Sequence, residues 1–371
     1  YDDVREKSPD DFELGKDDIE WENDLREIFV DLVAEEGMTK VNLRLGRQIV
    51  RWGETDIFNV LNVPNPSDNS FQMFFQDPDD TAIPLWMARL NYNVVGAGIF
   101  DSVGFEFLAI PDIRPTQLAP LGFEDDTLNT DAPYAFIFDG FVENGLGGFA
   151  ILKEDVAANT WENMEYGLSL LFSLGDLEAT LHYFVGHQDN GVIDWSGFAT
   201  FSPLLMTHPR QRTYGYSFNY FVEPLNAVIR GEGAYTDKMH IGYNPDYTNP
   251  FALPQISKNS VYQVLLGFDK NLHPKWIGTT SALITEFEVY WKHIKDMDVS
   301  QDPAIYAADK RDTGIATIFL MTDYHHGMIT PTVFAMYDTE ATWMTNASLT
   351  WDPDGKWQFK ITQMSFWGNR T

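Results

Sequence analysis

The feature that most constrains this chain is a two-residue rhythm of apolar and polar side chains, carried in segments of about ten residues and broken by turns. Met164, Tyr166, Leu168, Leu170 and Phe172 share one parity, and the turn 173–176 follows. Leu177, Ala179, Leu181, Tyr183 and Val185 then alternate with Glu178, Thr180 and His182. The same rhythm returns in Tyr214, Tyr216, Phe218, Tyr220 and Val222, whose partner strand carries Arg230 and Glu232 on its polar side. It appears again in Tyr262 to Phe268, in Phe287, Val289 and Trp291 set against Glu286, Glu288 and Lys292, and in Trp343 to Trp351 before the turn Asp352-Pro353-Asp354-Gly355. Such a period specifies strands with one apolar and one mixed face, not helices.

The connections alternate in length. Short turns fall near 36–37, 96–102, 173–176, 223–226, 325–327 and 352–356, and long ones span about 53–84, 111–162, 187–210, 237–258 and 294–312. Short turns at one end and long loops at the other characterise outer-membrane barrels, and loops this long are unusual in a compact soluble domain. The expected fold is all-β: a transmembrane antiparallel β-barrel of about 14–16 strands with long extracellular loops and short periplasmic turns. Residues 1–371 form one domain, with a polar segment at 1–20 and long loops at 53–84 and 111–162. The stretch 134–153 reads either as a hairpin or as part of a folded loop.

Composition narrows the function. With 27 Phe, 16 Tyr and 11 Trp the chain holds the aromatics that a lipid-facing band and two interfacial girdles require. It has no Cys, which excludes disulfides, Cys-ligated metal and covalent haem attachment by this chain. Lys and Arg total 25 against 55 Asp and Glu, a formal charge of −30, and so acidic a chain does not fit nucleic acid. The surplus carboxylates either keep long loops solvated or bind divalent cations among lipopolysaccharide phosphates. No apolar run approaches the ~20 residues of a membrane-spanning helix. No secretory signal is visible at the acidic start, so export implies its prior removal.

Charges within the strands set up the candidate site. Glu27 and Asp31 alternate with Ile28, Val30 and Leu32, and Glu286 and Glu288 alternate with Phe287 and Val289. A charge facing lipid costs about 2–4 kcal/mol at the bilayer midplane, so all of these are expected on an enclosed, watered face.

The stretch 25–65 reads LREIFVDLVAEEGMTKVNLRLGRQIVRWGETDIFNVLNVPN. It resembles the opening hairpin of a bacterial outer-membrane family catalogued as domain of unknown function 1302. The likeness rests on Leu43, Arg44, Leu45, Gly46, Arg47, Gln48, Trp52, Gly53, Glu54, Asn59, Asn62, Pro64, Asn65, Pro66 and Asp68. Alginate-export-type barrels are similar over the Gly-Arg-Gln to Trp-Gly core. The resemblance implies a porin-like channel for hydrophobic or anionic organic compounds in the bacterial outer membrane.

Read physically, the same stretch gives a row of guanidiniums. Gly46 would permit a bulge, bringing Arg44, Arg47 and Arg51 with Gln48 onto the inner wall, joined by Arg89. They either line an anion path or pair with Glu27, Asp31, Glu54 and Asp56 to stiffen the wall. The loop after Trp52 either folds inward as a constriction or caps the barrel from outside.

No catalytic motif appears: there is no Gly-x-Ser-x-Gly, no His-Glu-x-x-His and no phosphate-binding loop. His325-His326 reads as a solvent-facing turn. Asp77–Asp80 and Glu124–Asp126 read as solvated loop, lacking calcium-loop spacing. No cofactor and no enzymatic activity are expected. The expected partners are outer-membrane lipid and lipopolysaccharide, with a possible protein partner at the loops or lumen and no nucleic acid; the oligomeric state stays open. Arg44, Arg47, Arg51 and Arg89 facing Glu27, Asp31, Glu286 and Glu288 would make a transverse field that selects solutes. Two rivals remain: an outer-membrane scaffold for a lipoprotein or electron carrier, and a soluble secreted carbohydrate-binding sandwich.

Overall fold

In the computed structural model, described for residues 25–54, 58, 60–69, 81–118, 123–124, 127–128, 152–200, 204–243, 255–278, 281–297, 311–339 and 342–368, the chain is all-β. One antiparallel sheet of 14 strands dominates. Its strands are β1 (Ile28–Glu36), β2 (Thr39–Gln48), β3 (Leu85–Ala97), β4 (Phe100–Ile110), β5 (Glu165–Leu174), β6 (Leu177–His187) and β7 (Arg210–Val222). They continue with β8 (Ala227–Tyr243), β9 (Gln255–Leu272), β10 (Leu283–Ile294), β11 (Asp312–Met321), β12 (Ile329–Asp338), β13 (Trp343–Trp351) and β14 (Phe359–Trp367). Each pairs with the strand before and after it in sequence, a pure meander. Among the described residues β1 and β14 are its two edges and no pairing joins them.

The alternation of the sequence is the alternation of the two faces. Leu170 lies opposite Phe105 and Leu181, and Leu181 lies opposite Tyr216. All four are exposed, as are Val30, Leu45, Leu266, Val289, Val333 and Leu349 on the same face. The other face carries the buried polar residues Glu106, Ser169, Thr180, His182, Ser217, Glu232, Glu288 and Thr317. A soluble domain puts its apolar face inside; here the polarity is inverted. The remaining sheets have only two or three strands.

Two differences from the sequence reading have local causes. Residues expected in the loop 237–258 extend β8 to Tyr243 and β9 back to Gln255, and a register shift between Thr236 and Met239 absorbs the mismatch. Gly46 makes no bulge: its register with Phe29 and Met87 is unbroken. It is needed for close approach instead, since at φ 145° a Cβ would stand 2.2 Å from the Ile28 carbonyl oxygen. Most of 134–153, and Asp77–Asp80 with Asp125 and Asp126, lie outside the described residues.

Candidate functional site: the polar face and its inward segment

After β2, Val50, Trp52, Val60 and Leu61 lie against the polar face of the sheet. Trp52, only 6% exposed, donates its indole N–H to Glu106 Oε1 on β4 at 2.6 Å. It stacks on His182 of β6 with centroids 4.8 Å apart and meets Phe184 edge-on. The wall makes room for it with a glycine: a Cβ on Gly167 of β5 would lie 2.6 Å from the indole. A second notch sits at Gly215 of β7, where a Cβ would lie 2.1 Å from Leu61. Phe58 stacks flat on Tyr290 of β10 at 4.8 Å. Val50, Trp52, Val60 and Leu61 thereby join Leu85, Leu108, Ile110, Leu265 and Tyr290 in one apolar core on the polar side of the sheet.

Asparagines hold the segment's shape. Asn62 Oδ1 accepts from the backbone N–H of Trp52 (3.0 Å) and of Gly53 (2.8 Å). Asn65 Oδ1 accepts from Val50 N at 2.8 Å, and its Nδ2 donates to Ile83 O (2.8 Å) and Gln48 O (3.3 Å). These side chains satisfy backbone groups that leave the sheet where no strand can pair them. At Glu54 the wall grips the backbone: Arg230 of β8 donates to Glu54 O at 3.0 Å, and Glu232 accepts from Glu54 N.

Arg230 is the hub of the charges. It lies 2.9 Å from Glu288, 3.2 Å from Asp269 and 3.7 Å from Glu286, one guanidinium among three carboxylates. Farther round, Arg89 bridges to Glu106 at 2.5 Å. Next to the sheet end, in the loop after β6, burial and the neighbouring Glu165 carboxylate push the Asp189 carboxyl well above its ordinary value. A second full negative charge beside Glu165 is thus disfavoured.

The expected site residues separate into three groups. Arg44 and Arg89 are register partners on the polar face, and Arg44 forks onto Asp31 at 2.8 and 2.9 Å while covering the Phe29 ring. Glu286 and Glu288 converge on Arg230, and Glu54 is held through its backbone. Glu27 Oε1 accepts from Ile49 N at 2.9 Å. Gln48 is fully buried, donating to Met87 O at 3.2 Å.

The guanidinium ladder, however, does not form. Arg47 shares its row with Ile28 and Trp86, which puts it on the apolar side, where it donates to Pro84 O (3.1 Å) and Leu25 O. Arg51 is exposed and lies beyond the end of β2. Without a bulge at Gly46, alternation alone sends Arg47 away from Arg44 and Gln48. His325 and His326 are exposed in the turn before β12, both with positive φ.

Sequence reasoning passed over Trp52, Asn62, Asn65, Glu106, Arg230 and Glu232 as site residues. The signal was present in part, because Trp52, Asn62 and Asn65 belong to the quoted motif. Arg230 and Glu232 alternate with glycines 231 and 233 in a strand. Among the described residues no group of His, Asp and Glu is arranged to hold a metal ion.

The family model described as "Protein of unknown function (DUF1302)" matches residues 3–371. No curated protein and no solved structure matches the chain.

Proposed function

The chain belongs to the DUF1302 family, and from that premise we propose that it is a bacterial outer-membrane β-barrel channel whose lumen is narrowed by residues 50–54 and 60–65. The observation that carries this reading is the inverted polarity of the sheet, with apolar rows exposed and charges buried. Exposed Leu, Val, Tyr and Trp in continuous rows suit lipid, and only a closed ring of strands satisfies backbone groups there. As the edges of an even-numbered meander, β1 and β14 run antiparallel to each other, the sense in which two closing strands of a barrel would have to meet.

The dimensions fit. β13 runs nine residues from Trp343 to Trp351, a rise of about 27 Å that a 35–45° tilt reduces to about 20 Å, near the ~25 Å apolar band of such barrels. Aromatics mark both ends. Trp343 packs on Tyr337 at 4.5 Å, and Trp351 on Phe359 at 5.4 Å. Tyr183, Tyr214, Tyr235 and Tyr262 form a chain across β6 to β9, with neighbouring centroids 4.9, 6.1 and 5.0 Å apart. These are the girdles an interfacial belt requires.

The inward segment fills the middle of the polar face, so the passage is tight and solutes are selected by width and wall charge. Fractionation with outer membranes, heat-modifiable gel migration and a small, steady conductance in planar bilayers are the expected results. Negligible conductance with a stably co-purifying second chain would instead favour the scaffold, a reading to which the filled middle also lends support. Extraction without detergent would favour the soluble carbohydrate-binding form and end the channel account.

A further inference from the structure

The apolar face of the sheet changes character just beyond its tyrosines. Tyr183, Tyr214, Tyr235 and Tyr262 are register partners across β6 to β9. On the same face, two residues nearer the long loops than Tyr214, stands Arg212, and two residues farther stands Arg210. Lys258 stands four residues beyond Tyr262, and the buried Val261 and Asn259 between them keep its parity. Lys238 lies in the register shift of β8. All four cations are exposed.

Their surroundings do not cancel this charge. Arg210 donates Nη1 to Glu162 O and Nη2 to Met164 O, each at 2.8 Å, so two backbone carbonyls aim the guanidinium without neutralising it. Among the described residues no ion pair joins Arg210, Arg212, Lys238 or Lys258 to a carboxylate. Glu162 and Asp237 are the carboxylates on this margin, which leaves it a net charge of +2 in a chain whose total is −30. Buried Glu165 is turned to His187 at 3.0 Å, and Asp189 beside it favours its neutral form. Trp161, in the turn that Arg210 grips, is 85% exposed. A bare indole beside guanidiniums suits the headgroup boundary of a membrane, where tryptophans collect.

We propose that this margin is a docking site for the phosphate groups of outer-leaflet lipopolysaccharide, whose acyl chains lie along the apolar rows of β6 to β9. The phosphate oxygens accept from Arg210, Arg212 and Lys258, and Trp161 rests at the boundary between sugar and acyl chain. The inference rests on the reading of the apolar face as lipid-facing and goes beyond the channel, since it requires no conduction. Charge complementarity selects the occupant. Long loops mark the extracellular side of a barrel, where phosphorylated lipid is the surface anion, and a chain this acidic repels such a surface elsewhere. Each basic residue near an anionic membrane surface is worth about fivefold in affinity.

The test uses the full chain in its heat-modifiable form, in detergent, titrated with bisphosphorylated lipid A and with fully dephosphorylated lipid A. Native mass spectrometry counts the bound lipid. The phosphorylated lipid should bind about 25-fold tighter or better, as two cations at about fivefold each require. Arg212→Gln/Lys258→Gln should remove about 25-fold of that affinity and leave binding of the dephosphorylated lipid unchanged. Arg210→Gln should add a loss of about fivefold; should it fail to reach the heat-modifiable form, the double variant carries the test. Lys275→Gln/Lys356→Gln removes the same charge at the short-turn end and should change nothing. Equal binding of the two lipids, a double variant that binds like the parent, or an equal loss in the short-turn control overturns the site and leaves the channel standing. A chain that stays dispersed without detergent removes the lipid-facing reading, and the site with it.

Discussion

Two stretches of one sheet face differ in their chemistry. From β3 to β10 the face is charged and covered: Trp52 and Leu61 sit in glycine notches, Arg230 and Glu232 hold the Glu54 backbone, and Arg89 answers Glu106. From β11 to β14 the same face carries two rows rich in Met and Phe, bordered by Ile315, which packs against the shared core. Chemistry and coverage are reversed relative to simple expectation, since the polar stretch is the packed one. Buried charges persist only when paired, so the covered stretch needs its ion pairs. The other stretch has fewer charges to satisfy, with Asp338 and Lys360 toward the ends of their strands.

The comparison breaks most readily at Trp52. Trp52→Ala empties the larger socket and removes the indole donor from Glu106 Oε1, and should cost about 3–5 kcal/mol, read as a lower urea midpoint for loss of the heat-modifiable form. Conductance should rise in the same variant as the segment loosens. Arg230→Ala leaves Glu288 facing other carboxylates. Because Asp269 and Glu286 keep partial solvent access, we expect about 3 kcal/mol, the lower end for breaking a buried pair, with the same readout. Gly215→Ala forces Leu61 from its notch and should cost about 1–3 kcal/mol. On the opposite stretch, Met336→Ser removes only half-buried surface and should cost about 1 kcal/mol, a clear contrast with Trp52→Ala in the same assay. The smallest effect on stability belongs to the double substitution Arg44→Glu and Arg51→Glu. Both positions are accessible, so it should change stability by less than about 1 kcal/mol while shifting reversal potentials toward cation preference. An unchanged potential would remove Arg44 from the permeation path.

Much of the strand architecture was legible because alternation is a direct print of the pleat. Tyr214 to Val222 and Leu177 to Val185 fall on the faces their parity assigns, and 14 strands lie within the expected range. What parity cannot give is where a loop goes. Trp52, Asn62 and Asn65 act through contacts with β4, β6 and the backbone of 48–53, contacts that a two-residue alternation along a strand does not encode. The ladder through Arg47 failed for a related reason, since it required a register change that Gly46 does not make. The Met and Phe strip was hidden because its rows are assembled across four strands, one or two residues from each.

The central claim is that alternate residues of one strand meet lipid and enclosed water. The chain has no Cys, so single cysteines placed along β13 report on it directly. Membrane-reconstituted protein carrying Cys at Asn346 or Ser348 should react with a hydrophilic, membrane-impermeant maleimide, while Cys at Ala347 or Leu349 should resist it and react with a lipid-soluble one. Equal reaction of all four positions with the hydrophilic reagent would contradict the account, because the apolar rows would then face water.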